Sequence, residues 1–151
     1  MGSRKISMKL PMSLMTADVV VFHFDKVLAV RRKFEPCQGE LALPGGLVEL
    51  NETIVHAAQR ELEEETGLKV RQEELHFVHY FDRPGRDSRN RTVTFAFYIE
   101  LDHDRVKDVC AGDDAADAVW VNPADITAFD HDIIVREAIY VRGEEQTRQA
   151  N

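Results

Sequence analysis

From Leu14 to Phe24 the chain reads LMTADVVVFHF, an apolar run dominated by β-branched and aromatic residues. That composition predicts a strand. Asp25-Lys26 makes a turn, and Val27–Arg31 returns as a second strand, closing a hairpin. Residues 33–40 form a loop with Pro36 and Gly39. Leu41–Leu43 is a short apolar run stopped by Pro44-Gly45-Gly46, and Leu47–Glu49 is extended again.

The period then changes from two to nearly four. Ile54, Ala57, Ala58 and Leu62 recur at helical spacing and predict a helix over residues 53–66 with one apolar face. Asn51 suits its N-cap, and Gly67 suits the residue just past its end. Leu75–Phe81 and Thr92–Leu101 read as strands, the latter with Val93, Phe95, Phe97 and Ile99 on one face. The polar stretch Pro84–Asn90 separates them. Ala118–Val121 is a further short strand. Pro123–Thr127 and Asp132–Arg142 read as helical, the second with Ile133, Ile134, Ala138 and Val141 on its apolar side. Strands mixed with a few helices predict an α+β arrangement or a sheet between helices.

The 151 residues suit one domain, and 44% apolar content is enough to build its core. Residues 1–13 form an N-terminal extension, residues 14–143 the domain, and residues 144–151 a polar C-terminal tail. Met1-Gly2-Ser3 is compatible with a vector-derived start. Lys9, Pro11 and Asp18 interrupt any signal-peptide core, so no membrane and a cytoplasmic location are expected. Cys37 and Cys110 lack metal-type spacing and read as two free thiols. The net charge of -8 argues against non-specific nucleic-acid binding. It is compatible with a phosphorylated small molecule if a divalent cation supplies local positive charge.

The candidate chemistry lies on the helix. Glu61, Glu64 and Glu65 stand at i, i+3 and i+4, so their carboxylates share one face and repel. A hard divalent ion relieves that conflict and prefers oxygen ligands. Alone, such a triad is most often a solvated helix face. Here Pro44-Gly45-Gly46 lies just upstream, where glycine allows close approach to a ligand. Arg60 is placed to orient a carboxylate.

Gly46, Glu52, Arg60-Glu61-Leu62, Glu64-Glu65 and Gly67-Leu68 together match the signature box of the Nudix hydrolases at all nine constrained positions. The resemblance implies an α/β fold, the Nudix-type α/β/α sandwich with a mixed sheet. It implies hydrolysis of a nucleoside diphosphate linked to another moiety. By that likeness Glu61, Glu64 and Glu65, with Gly45, would hold Mg2+ or Mn2+. Glu52 and Arg60 would organise the helix, and Arg60 and the three glutamates would form the catalytic group. The general base would be a box carboxylate or a loop acid, Asp113 or Asp114.

The substrate preference is carried by another segment. Arg83, Arg86, Arg89 and Arg91 concentrate positive charge in an acidic chain and could clamp phosphates, with Gly46 close to the ligand. This stretch resembles ADP-ribose pyrophosphatases of the same family. So do Gly112-Asp113-Asp114-Ala115, Trp120-Val121 and Phe129-Asp130-His131. The likeness departs at Asn90, where similar chains more often carry glycine. It implies Mg2+-dependent conversion of ADP-ribose to AMP and ribose 5-phosphate, with a homodimer as an option. Phe34, Phe81 and Phe97 are candidates to stack adenine. The alternatives are another nucleotide (a nucleoside triphosphate, a dinucleoside polyphosphate, NADH or a sugar nucleotide) or a non-catalytic ADP-ribose sensor. His76 and His79, three apart, are expected on opposite faces of a strand and make a poor metal pair. His131 reads as a capping or packing residue.

Overall fold

The structure is a computed structural model that describes residues 10–109 and 117–151. Its centre is β1 (Leu14–His23), the strand predicted by the valine-rich run. Along one edge β1 pairs in parallel with β6 (Thr92–Glu100), from Leu14 opposite Thr92 to Phe22 opposite Glu100. Its other edge is shared. Near the hairpin, Phe22 and His23 pair with β2 (Lys26–Arg31). Nearer its start, Thr16, Ala17 and Asp18 pair with β4 (Gly45–Leu47). Between these stretches the Val19 amide donates to the Pro44 carbonyl at 2.9 Å. The glycines therefore do not end an extended segment, as their sequence suggested. They are strand residues, because pairing with β1 outweighs their low intrinsic β preference.

β2 also pairs with β3 (Leu41–Ala42) and with β7 (Ala118–Val121). β5 (His76–Phe81) lies antiparallel on the outer side of β6. The result is a seven-stranded mixed sheet. The parity of β1 divides the core into two layers. Ala17, Val19 and Val21 face α1 (Ile54–Thr66) and pack with Ala57, Ala58, Leu62, Phe97 and Ile99. Val20 and Phe22 face α3 (His131–Ala150) and pack with Ala96, Tyr98, Ile134, Val135 and Ala138. The architecture is thus the expected α/β/α sandwich.

Several boundaries differ for identifiable reasons. Thr53, not Asn51, caps α1, its hydroxyl accepting the His56 amide at 3.2 Å. Gly67 ends the helix at φ 75°, as expected, its amide donating to Glu63. A four-residue helix α2 (His103–Val106) follows β6 and has too few residues to show a period. Pro123–Asp125 forms only a 3-10 turn, because the next amides, Thr127 and Ala128, donate to Leu41. α3 continues to Ala150, so the described part of residues 144–151 is polar but helical. Ile133 is exposed, and Val135 is inward in its place. The β5–β6 register shifts between Phe77 and His79, placing His76 opposite Tyr98 and His79 opposite Ala96. The irregularity breaks the expected alternation and brings both imidazoles to the same side of the sheet.

Among the described residues, no helix is long and apolar enough to cross a membrane. Cys37 is a free, half-buried thiol, and Cys110 lies outside the described residues.

Candidate active site

A cleft of about 410 Å³ opens between the start of α1's acidic face, β1, β4 and the loop before β6. Its lining includes an acidic group, Asp18, Glu61, Glu64 and Glu65 (the acidic pole), and a cationic group, Arg31, Arg32, Lys33, Arg86 and Arg89 with Asp87 and Asp117 among them (the basic pole), together with the exposed Phe34.

The acidic pole is organised by Arg60. Its guanidinium forks onto Glu52, with Nε to Oε2 at 3.0 Å and Nη2 to Oε1 at 2.6 Å. Nη1 donates to Glu61 at 2.8 Å and to Glu64 at 3.3 Å, and Nη2 also reaches the Leu47 carbonyl. The Arg60 hydrogen bond holds the Glu52 carboxyl down at about 2. Glu52 further accepts the Glu49 amide, tying the β4–α1 connection to the helix. Glu52 and Arg60, expected to organise the helix, are thus bonded to each other and to the connection before it.

The other carboxylates shift the opposite way. Burial raises Glu65 to about 8, against the pull of the Gly45 amide, which donates to it at 3.2 Å. Burial also raises Glu61, offset in part by Arg60. Asp18, which is not part of the box, is pushed to about 7 by burial, with Arg86 opposing. Gly46 lies directly on Glu61: an added Cβ would stand 2.5 Å from its carboxyl carbon. Gly45 lies as tightly on Asp18, where an added Cβ would be 2.0 Å from Oδ1.

This donor set fits a hard divalent cation. It consists of oxygens only, and burial leaves Glu65 and Asp18 inclined to keep their protons when no cation offsets their charge. Among the described residues, no three acidic or histidine side chains are gathered closely enough to enclose an ion. The reason is local, because Glu61 and Glu64 are turned towards Arg60.

A pH dependence follows. Folded Glu65 and Asp18 keep protons at pH values where the unfolded chain has lost them. Buried His131, held at about 4, works the other way below about 6.5, but the two carboxyls outweigh the one imidazole, so the fold binds more protons than the unfolded chain from about 5 to about 8. Stability must fall as pH rises through that window. Without divalent metal, Tm should drop by about 5–10 °C between pH 5 and 8.5, corresponding to on the order of 3 kcal/mol. Saturating Mg2+ should flatten the slope. Differential scanning fluorimetry across pH, with and without Mg2+, checks this, and a metal-free Tm that rises over the window would contradict it.

At the basic pole, only some of the expected arginines reach the cleft. Arg86 does, with its side chain 4% exposed. Its Nε and Nη2 fork onto Asp130 at 2.8 and 2.7 Å, and Nη1 donates to Thr94 at 2.6 Å. Thr94 is bonded to Thr16 on the neighbouring strand. Arg89 lines the cleft while paired with Asp87. Arg83 and Arg91 are exposed and lie outside it. Arg83 belongs to the turn closed by the Arg86 amide, and the Arg91 carbonyl accepts the Leu14 amide where β1 and β6 begin.

Sequence reading missed Arg32, and it singled out Phe129 only within the Phe129-Asp130-His131 resemblance, with no role of its own. Arg32 lies 4.8 Å from the Phe129 ring centroid, with Arg89 at 5.6 Å, and Phe129 has φ 52°. A positive φ is uncommon for an aromatic residue and marks a site held by its surroundings. Nothing local in the sequence pairs residues 32 and 129. Asp18 had a weak signal, a lone acid inside an apolar strand. Of the three aromatic candidates, Phe97 is in the core layer under α1 and Phe81 packs against the layer under α3. Phe34 is 76% exposed and lines the cleft. Asp113 and Asp114 lie outside the described residues.

Comparison with known proteins agrees with this geometry. The family model for the NUDIX domain matches residues 12–140. An ADP-ribose pyrophosphatase of Methanocaldococcus jannaschii is 35% identical over 122 residues, covering 80% of this chain and 69% of that protein. The low-salt glycan biosynthesis protein Agl8 of Haloferax volcanii is 37% identical over 99 residues, covering 62% and 63%. Among solved structures, a MutT/nudix family protein from Enterococcus faecalis superposes with TM-score 0.79 at 28% identity, over 91% of this chain and 64% of that one. The bifunctional NMN adenylyltransferase/ADP ribose pyrophosphatase of Francisella tularensis, complexed with AMP and a Mn ion, gives 0.70 at 31%, over 91% and 43%. The NUDIX domain of Shewanella oneidensis NrtR, complexed with ADP ribose, gives 0.73 at 26%, over 87% and 89%. With a family match across most of its length and the acidic helix in place on the sandwich, the chain belongs to the Nudix hydrolase family.

Proposed function

We propose that the chain is a Mg2+-dependent hydrolase that cuts the diphosphate of ADP-ribose, giving AMP and ribose 5-phosphate. The observation that carries this reading is the cleft itself, which is lined by Glu61, Glu64 and Glu65 together with the buried Arg86. A diphosphate bridging two bulky groups suits such a site. The narrower choice of ADP-ribose is supported by the archaeal relative's name and by the ADP ribose bound to the Shewanella domain.

In this reading Glu61, Glu64 and Glu65, with the Gly45 carbonyl, hold Mg2+ or Mn2+, which when bound neutralises phosphate charge and lowers the pKa of a water. Arg60 holds Glu61 and Glu64 on the face they share with Glu65, where they would ligate the cation. Arg86 places a fixed positive charge in the same cleft, oriented by Asp130 and Thr94. Phe34 offers an exposed ring on which adenine stacks.

Purified protein with Mg2+ should turn over ADP-ribose with a kcat/KM at least about 10-fold above nucleoside triphosphates, NADH and sugar nucleotides, a difference of about 1.4 kcal/mol. Equal rates across that panel would remove the substrate assignment. Binding of ADP-ribose by calorimetry without turnover of any member would favour a sensor. Phe34→Ala should raise KM for ADP-ribose about 5-fold with little change in kcat, as expected for loss of one base–aromatic contact.

A further inference from the structure

His131 opens α3 on the sheet face opposite the acidic helix, yet it lines the same cleft. It is 8% exposed. It does not cap the helix: Asp130 occupies the N-cap position, with its carboxylate committed to Arg86. The ring is instead engaged on both sides. Nδ1 receives the Leu43 backbone N–H at 3.0 Å. A backbone amide can only donate, so Nδ1 carries no proton, and the neutral ring carries its proton on Nε2. Burial holds the ring down at about 4, which keeps it neutral in ordinary buffers. Nε2 lies 3.4 Å from Asp18 Oδ2.

Asp18 passes that contact on to the acidic pole. Its other oxygen, Oδ1, packs on Gly45, its cross-strand partner. Gly45 in turn donates its amide to Glu65. Leu43 and Gly45 flank Pro44, so the ring grips this turn at Leu43 directly and at Gly45 through Asp18.

We propose that His131 is a positioning residue for the acidic pole: by joining the Leu43 amide to the Asp18 carboxylate, it sets where Gly45 stands against Glu65. Neither Asp18 nor His131 belongs to the nine-position box. The link brings α3, packed on the far face of the sheet, into control of a centre built on α1. It rests on the proposed cation role of Glu65 and is independent of ADP-ribose as substrate.

Three substitutions separate the contacts. His131→Asn keeps an acceptor near the position of Nδ1 but does not reach Asp18. His131→Gln reaches Asp18 but does not also accept from Leu43. His131→Ala removes both. The probe is Mn2+, titrated by electron paramagnetic resonance, alongside KM, kcat and Tm. His131→Ala should weaken Mn2+ binding about 10-fold, the usual scale for partners that orient a metal ligand. At saturating metal its KM for nucleotide should stay within about 2-fold of wild type. Asn and Gln should each recover part of the affinity. A folded His131→Ala protein that binds Mn2+ like wild type, even with a lower Tm, would show that the ring only packs. If the alanine variant does not fold, wild-type Mn2+ affinity in both amide variants would overturn the proposal equally.

Ring 15N shifts at pH 7.5 should show Nε2 protonated and Nδ1 bare, and a protonated Nδ1 would refute the link. Should wild type bind no Mn2+, the cation role of Glu65 fails instead. The 15N shifts, with Leu43 amide exchange in wild type and variants, then decide the link alone. Unchanged Leu43 exchange in the variants would overturn it.

Discussion

Replacing Glu65 by Gln should slow turnover by at least about 10³-fold, equivalent to about 4 kcal/mol of transition-state stabilisation, while making the metal-free protein more stable at high pH. The two effects have one origin. Glu65 lies where burial and its acidic neighbours Glu61, Asp18 and Glu64 push its carboxyl to about 8. Ionising it there strains the folded state. Glutamine has nearly the same shape and still presents an oxygen to the Gly45 amide, now 3.2 Å from the carboxylate. It carries no charge, so the fold is relieved and the cation loses a ligand. The measurements are kcat with saturating Mg2+ and metal-free Tm at pH 8.5. Retained turnover would exclude Glu65 from the chemistry. A lower metal-free Tm would show that its burial is not the source of the shift.

Arg86→Ala should be the most damaging single change at the basic pole. The fork to Asp130 is nearly enclosed, with side chains 4% and 17% exposed. Removing one partner leaves the Asp130 carboxylate unpaired beside the start of α3 and the Thr94 hydroxyl without its donor. Breaking such a buried pair costs about 3–5 kcal/mol, or roughly 10 °C in Tm for a domain of this size. Arg86→Lys should recover part of the stability, because the charge remains while the two-pronged geometry is lost. Nucleotide KM should rise in both variants at temperatures where they are folded. Thermal melts and steady-state kinetics report the two losses separately. A KM unchanged in folded Arg86→Lys would confine Arg86 to a structural role.

How much of this was legible beforehand depended on the range of the interaction. The acidic helix is local: Ala57, Ala58 and Leu62 set its face, Gly67 its end, and Glu61, Glu64 and Glu65 its chemistry. Each could be read within a few turns of helix. The loop Pro84–Asn90 has no period, so sequence could not rank Arg83, Arg86, Arg89 and Arg91. What selects Arg86 is Asp130, 44 residues away on another element. Arg32 and Phe129 meet across 97 residues by the same kind of long-range closure. Asn51 lost the cap to Thr53 within the connection where Glu52 folds back onto Glu49 and Arg60. His76 and His79 were placed by strict alternation, which one strand irregularity undid.

The position of β1 has a further consequence, for motion. Bonded along one whole edge to β6 and along most of the other to β2 and β4, it should be among the last segments to open in hydrogen exchange. Asp18 and Thr16 hang from that strand, and Gly45 is stitched to it. The cutting end of the cleft is thus fixed to the slowest-exchanging backbone. Arg32, Phe34 and Arg89, which line the cleft, sit on connecting segments. Such segments can drift in sequence and sample other shapes without loosening the carboxylates, so this scaffold can change what it grips while keeping how it cuts.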